Sequence, residues 1–381
     1  MNVWESPDFK SYEIWVSGLV MLVGGTLLNG AGLGGGGVFV TVLFTLMHMT
    51  AHEAIPNSKM IIFLSSVATF LLNTVRKNKT TLIDFELVRS IVPMSLAGTT
   101  LGILINTTVS ETVLFILLCC LMCVIVITSV AIAARKIHEY RQSLSQPSLN
   151  KPPHTVVGHV ELREDLEEST EPPPQEPLEE QVPPGNVNGK KRNMMLISLL
   201  GLVIGSGIIF KSESLPGGLR WTFFTVSLCT CVGAWVFFNI VRPEGGRLHH
   251  KLSLLFPLVG LVAGTCSGLF GVGGGMIVAP FLLHMKIDPE VAVAVSATCI
   301  LFIAASTAMQ YLFIGRVAVW ISLFLSIFGI LSSVAGSYAA RALTKLTNKP
   351  YTIHVIVAGA VIVSASVTLI YTIVAFTTTN D

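Results

Sequence analysis

Two clusters of glycine interrupt the most apolar parts of this chain. The first is GLGGGG at residues 32–37, and the second is GVGGG at residues 271–275. Each glycine lowers helix propensity by about 1 kcal/mol, so three in a row are enough to unwind a helical turn. An unwound turn exposes backbone N–H groups at the start of the helix that follows, and such groups bind anions. The clusters therefore predict two anion-binding breaks, formed by Gly34, Gly35, Gly36, Gly273, Gly274 and Gly275.

Other uses of these glycines have different requirements. GLGGGG fits the GxGxxG spacing of a dinucleotide-binding loop, but that loop needs a soluble βαβ context and an acidic residue about 20 positions on, which are missing. Close packing of helices through small residues remains the alternative to an anion site. The sequence offers no catalytic triad, carboxylate pair or metal-ligand spacing. It therefore predicts no enzyme, no cofactor, no metal site and no nucleic-acid partner.

A lysine lies among apolar residues shortly after the first cluster. Lys59 is part of IPNSKMIIFLSS, about seven residues into an apolar segment. A cation at such a depth is costly and is usually functional or paired, although snorkelling to the interface is the alternative. Polar residues beside it, and at the matching place after the second cluster, are expected to share the site. They are Asn57, Ser58, Ser296 and Thr298.

The elements that must position these residues are membrane helices. The chain is 52% hydrophobic and only 12% charged, against about 25% charged in soluble domains. Apolar stretches long enough to cross a bilayer recur along it. We therefore expect an all-α, multi-pass integral membrane protein with about 8–10 transmembrane segments, whose membrane the sequence does not specify. Ten apolar segments are predicted, at about 13–48, 53–75, 88–106, 112–134, 194–211, 220–241, 252–285, 289–313, 317–340 and 351–376.

An internal repeat relates the two glycine clusters. GTLLNGAGLGGGG at 25–37 matches GTCSGLFGVGGGM at 264–276 at an offset of 239 residues. Such repeats are typical of transporters, with the binding site where the copies meet. The two glycine-bearing segments are too long for one span and are expected to be broken into half-helices, either re-entrant or fully spanning. The predicted units are a first repeat at 13–134, a linker at 135–193, two inserted helices at 194–241 and a second repeat at 252–376.

The linker differs in composition from the rest of the chain. Residues 161–180 hold nine acidic residues and one basic residue, among several prolines. Such a segment buries too little apolar surface to offset its ordering entropy, so we expect it to be disordered. Basic residues concentrate on the linker's side in either topology, which predicts that it is cytoplasmic. The sequence leaves open a protein partner at the linker, a homo-oligomer, and parallel or inverted repeats.

Five stretches carry a family resemblance: GLGGGGVFVTVLF, AIPNSKMII, LIDFEL, GVGGGMIVAPFLL and YLFIGRV. Together they resemble the TauE/SafE family of sulfite exporters, and the linker and inserted helices resemble its eukaryotic-type branch. The resemblance implies a membrane permease for sulfite or related organosulfur and organic anions, with the six glycines forming the breaks. The chain departs from the family pattern at Thr41, where the second copy has Pro280 and the family usually has proline in both.

These observations predict an anion transporter embedded in a lipid bilayer. The small anionic substrate would lie between the repeats at the glycine breaks, with Lys59 beside it. Two alternatives use the same sequence features differently. One is a channel-like anion pore, and the other is a non-transporting membrane scaffold that acts through its cytoplasmic linker.

Overall fold

The structure is a computed structural model. It describes residues 11–30, 32–74, 83–145, 186–211, 217–240, 255–285 and 287–347, with scattered positions between 355 and 366. These residues form helices joined by short connections, and no strand occurs among them. The helices are α1 (Ser11–Gly30), α2 (Gly36–Thr45), α3 (Ala51–Thr74), α4 (Phe85–Thr108), α5 (Glu111–Ser145), α6 (Asn186–Lys211), α7 (Gly217–Ile240), α8 (Leu255–Phe270), α9 (Gly275–His284), α10 (Pro289–Phe313) and α11 (Val319–Thr347).

The helices follow the predicted apolar segments closely, except at the linker. The segment predicted at 13–48 contains α1 and α2, and the one at 252–285 contains α8 and α9. The predicted linker at 135–193 is helical at both ends, because α5 continues to residue 145 and α6 starts at 186. Alanine, arginine, lysine and glutamate near the end of α5 favour helix, so the helix extends past the apolar stretch. Residues 146–185, with the acidic stretch, and most of the segment predicted at 351–376 lie outside the described residues.

Six helices in the described part of the chain are long and apolar enough to cross a membrane. Their outward faces carry large apolar side chains: Val23 on α1 is 69% exposed, and Ile127 on α5 is 68% exposed. Such surface suits lipid contact and would be unusual in water. The prediction of an all-α, multi-pass integral membrane protein is confirmed. The six spans are Tyr12–Gly30, Ala51–Thr74, Phe85–Thr108, Thr112–Arg135, Pro289–Phe313 and Val319–Ala340.

The helices before α6 and after α7 pack in a crossed arrangement. Helix α1 packs along α11, and α8 packs along α4. Helices α3 and α10, which follow the two breaks, pack against each other at the centre, and the short helices α2 and α9 pack against α3 and α10 respectively. The arrangement brings the two glycine clusters together in the interior.

Isolated glycines let the crossed helices approach closely. A Cβ on Gly264 of α8 would overlap the carbonyl oxygen of Ser95 on α4. A Cβ on Gly30 of α1 would lie 2.7 Å from the carbonyl oxygen of Gly336 on α11. Small residues serve this purpose in membrane helix pairs, where van der Waals packing drives association. Helix packing therefore accounts for these glycines outside the clusters.

Candidate functional site

Lys59 points into the protein interior. It lies in the first half of α3, and its side chain is completely buried. Its Nζ donates hydrogen bonds to Ser267 Oγ at 2.6 Å and to the carbonyl oxygen of Val272 at 2.9 Å. Ser267 belongs to α8 and Val272 to the second break, so the lysine ties α3 to the other glycine cluster. The side chain does not snorkel toward an interface.

The charge of Lys59 has no acidic partner in the described part of the chain. Both of its hydrogen-bond acceptors are neutral oxygen atoms. Burying an unpaired ammonium costs several kcal/mol. The carboxyl end of α8 lies beside it, and a helix end of this kind carries about half a negative charge. Backbone and hydroxyl dipoles alone therefore stabilise the cation, which leaves a positive charge that a bound anion could neutralise.

Helix α8 ends in a left-handed cap that begins the second break. Gly271 has a φ of 73°, and its N–H donates to the carbonyl oxygen of Ser267 at 3.1 Å. This single bond is the αL form of helix termination, and glycine adopts the positive φ without a steric penalty. The αL cap leaves the following carbonyl groups of the last turn to other donors.

Side chains from other helices supply those donors. Tyr311 Oη of α10 donates to Gly268 O at 2.8 Å, and Asn106 Nδ2 of α4 donates to Leu269 O at 2.8 Å. With Lys59 from α3, three helices therefore bond the end of α8 and the break that follows it. The position of this break is thus fixed from three sides.

Helix α1 ends differently, although its last residues, GTLLNG, align with GTCSGL of α8 at the offset of 239 residues. Gly32 has a φ of 73° and donates to Asn29 O at 3.0 Å, while Leu33 N donates to Leu28 O at 2.9 Å. This pair of bonds is a Schellman motif, which satisfies two of the last carbonyls within the backbone itself. The first break therefore needs no lysine to hold it.

The clustered glycines meet different backbone requirements in the two breaks. Gly34 and Gly35 have φ values of 79° and 69°, which side chains rarely tolerate. Gly274, which precedes α9 as Gly35 precedes α2, has a φ of −53° that any residue adopts. At Gly274 the backbone conformation does not require glycine, and a Cβ there would meet the end of the Ile303 side chain at 2.8 Å.

The two breaks touch each other. A Cβ on Gly36 would overlap the backbone nitrogen of Gly273. A Cβ on Gly273 would lie 2.8 Å from Leu33 O, and one on Gly275 would lie 2.7 Å from Gly32 O. Only glycine permits backbones to approach so closely. The structure therefore brings both predicted clusters to one place in the interior.

Free N–H donors lie at both breaks. In the part of the chain that the structure describes, the N–H groups of Gly36, Gly37 and Val38 donate no hydrogen bond. Among the described residues, the N–H groups of Val272, Gly273, Gly274 and Gly275 in the second break likewise donate none, whereas Met276 and Ile277 donate back to glycine carbonyls at 3.0 and 3.2 Å. Both breaks therefore offer free N–H groups, and the lysine is bonded to the second break.

The predicted hydroxyl groups divide between the breaks and their own helices. Ser296 Oγ of α10 donates to Gly32 O at 2.9 Å and so braces the first break. Ser58 bonds a carbonyl three residues back in α3, and its hydroxyl lies 3.0 Å from where a Cβ on Gly271 would be. Thr298 bonds a carbonyl four residues back in α10. Of the three, Ser296 makes the direct hydrogen bond to a glycine cluster.

Asn57 binds the start of another helix. Its Oδ1 accepts hydrogen bonds from Ala318 N at 2.8 Å and from Ser322 Oγ at 2.7 Å. Its Nδ2 donates to Glu53 O at 2.8 Å. Since α11 begins directly after Ala318, Asn57 serves as its N-terminal cap from a distance. Both ends of the amide are therefore engaged in holding α3 to α11.

The site also contains residues that sequence reasoning did not predict. They are the donors and acceptors at the end of α8: Asn106, Ser267 and Tyr311. Each is a polar residue inside an apolar segment, which is the signal that could have indicated it.

The sequence model of the family described as "Sulfite exporter TauE/SafE" matches residues 14–160 and 185–368. The chain is 25% identical to "Sulfite exporter TauE/SafE family protein 1" of Arabidopsis thaliana, over 96% of this chain and 85% of that protein. It is 22% identical to family protein 3 of the same plant, over 96% of this chain and 79% of that protein. No solved structure matches the chain.

Proposed function

Because the chain belongs to the TauE/SafE family of sulfite exporters, a family of membrane transporters and not of enzymes, we propose that it carries small anions across a bilayer. The transported anion binds where the two glycine breaks meet. Ser296 is assigned to the support of the first break and Asn57 to the support of α11, while Ser58 and Thr298 bond carbonyls of their own helices.

The observation that carries this proposal is the burial of Lys59 without a carboxylate partner in the described residues. Charged residues at membrane depth mark substrate or ion pathways unless they are paired. A small anion entering the interior must exchange its water for fixed positive charge and N–H donors. Lys59 supplies the charge, and the contact between the breaks brings N–H donors to the same region.

Each group in the site has a separate task. Lys59 is held against Val272, and the next residue along the chain, Gly273, packs on Gly36 at the start of α2. The free N–H groups of Gly36 and Gly37 lie at the positive end of the α2 dipole and then face the anion. The absence of side chains at the breaks lets the anion reach the backbone directly.

The substrate class follows from the donors and from the relatives. Ammonium and amide N–H groups bind compact oxyanions well. The Arabidopsis relatives are named as members of a sulfite exporter family. We therefore assign sulfite and related sulfonates, such as sulfoacetate, as the substrates to test first.

Uptake into proteoliposomes tests this proposal. Purified protein is reconstituted, and uptake of radiolabelled sulfite, sulfate, thiosulfate and sulfoacetate is measured against concentration. We expect saturable uptake of at least one anion, because a carrier has a finite number of sites. Lys59→Met keeps the volume of the side chain without its charge, and its uptake should fall about 10- to 100-fold, as expected when a charged hydrogen bond is lost.

The matched control is Ser267→Ala, which removes one acceptor from Lys59 but leaves the ammonium in place. Its uptake should stay within a few-fold of that of the parent. Uptake that rises linearly with concentration without saturating would indicate a pore. Absence of uptake of every anion, from protein with a normal unfolding transition, would contradict the proposed function.

A further inference from the structure

We infer that the ammonium of Lys59 is a built-in cation at the carboxyl end of α8, standing where a transporter would otherwise bind a sodium ion. Anion transport at this site then requires no sodium ion. The inference rests on the proposed function, because it concerns the same site.

The ligands of Lys59 are those of a cation site. One is a carbonyl oxygen of unwound backbone, Val272 O, and the other is the hydroxyl oxygen of Ser267 in the last turn of α8. In transporters with broken helices, unwound carbonyls and half-helix carboxyl ends coordinate the coupling cation. Here Lys59 Nζ lies 2.6 Å from Ser267 Oγ and 2.9 Å from Val272 O, so the ammonium occupies the position between them that a cation would take.

The rest of that helix end is already satisfied by neutral donors. Tyr311 bonds Gly268 O, and Asn106 bonds Leu269 O. Each of these carbonyls therefore already accepts a hydrogen bond from a neutral donor, whereas Lys59 supplies the charged donor. One positive charge is built into this end of the site.

The position that matches Lys59 in the second repeat carries no cation. An offset of 238 residues aligns the starts of α3 and α10. At that offset, the residue of α10 that matches Lys59 is Ala297. At the end of α1, backbone N–H groups of the Schellman motif donate hydrogen bonds to the carbonyl oxygens of Leu28 and Asn29. The cation position is thus specific to the second break, where the αL cap leaves it open.

Chemical replacement of the ammonium tests the inference. Lys59→Ala removes the amine and leaves its two oxygen ligands in a cavity. We would measure sulfite uptake by parent and variant in choline buffer, then with sodium, methylammonium or tetramethylammonium chloride at equal concentration inside and outside. Tetramethylammonium is the matched control, because it carries the same charge but has no N–H donor. Thermal unfolding in detergent is followed in the same salts, which gives a readout independent of transport.

The parent should transport equally in all four salts. The variant should be slow in choline and tetramethylammonium, and methylammonium or sodium should raise its uptake at least about fivefold with saturation. The same cations should raise the unfolding temperature of the variant by about 2 °C and leave the parent unchanged.

A parent that loses uptake when sodium is removed would overturn the inference. So would a variant whose uptake and unfolding temperature respond identically to all four salts. If the parent transports no anion in any salt, the proposed function fails, while the unfolding temperatures of the two proteins still decide whether a cation position exists.

Discussion

Lys59 and Asn57 are two positions apart on α3, yet their side chains serve different helices. Residues two apart on a helix do not share a face. Lys59 accordingly reaches α8 and the second break, whereas Asn57 reaches the start of α11. The polar stretch around Lys59 therefore combines a charged group of the site with a helix cap.

Replacing Asn57 by alanine should lower stability and leave anion affinity unchanged. The change removes an acceptor from Ala318 N and from the buried hydroxyl of Ser322. Loss of a cap and a buried partner costs about 1–3 kcal/mol. Thermal unfolding in detergent measures the loss, and the Michaelis constant for uptake measures affinity. A variant with normal stability and weakened affinity would instead place Asn57 in the anion site.

For single residues, the sequence predicts which side chains are important better than it predicts their hydrogen-bond partners. The cost of a buried charge marks Lys59 without any structure. Its acceptors, however, lie 208 and 213 residues away in the chain, so only the fold, which brings Lys59 to the end of α8 and the break, identifies them. The cap made by Asn57 spans 261 residues to Ala318 and is equally hidden.

Among elements, the two breaks look alike in sequence but are built differently. The first uses a Schellman motif and positive φ values at Gly34 and Gly35. The second uses one positive φ, at Gly271, and is held by side chains from three neighbouring helices. The pattern of three glycines predicts where a helix stops. It does not predict which glycine is left-handed, because that depends on the cap that forms.

Alanine should therefore be tolerated unequally in the two breaks. Gly35→Ala forces alanine into a φ of 69° and against the ring of Phe39, which a new Cβ would approach to 2.6 Å. The conformation alone costs about 1–2 kcal/mol. Gly274→Ala keeps a helical φ of −53° and meets only the flexible end of Ile303, at 2.8 Å.

Thermal unfolding and uptake of the two single variants check this difference. Gly35→Ala should unfold at a lower temperature and transport more slowly than Gly274→Ala. Equal behaviour of the two variants would contradict the backbone asymmetry between the breaks.

For the whole molecule, the crossed packing of helices is what assembles the site. The repeat between 25–37 and 264–276 predicts two related halves that meet at the site, and this stays a prediction. Consistent with it, α1 packs along α11 while α8 packs along α4, so each helix before a break is held by the opposite half. The all-α membrane class and most helix bounds were predictable from apolar length. The crossing was not, because it depends on backbone contacts such as that of Gly264 with Ser95.

Equilibrium binding of radiolabelled sulfite to the purified protein in detergent tests the central claim most directly. Parent, Lys59→Met and Ser267→Ala are compared at matched folded fraction. The account predicts saturable binding that weakens about 10- to 100-fold in Lys59→Met and remains close to the parent in Ser267→Ala. Equal sulfite affinity of the parent and Lys59→Met would contradict a site built around this lysine.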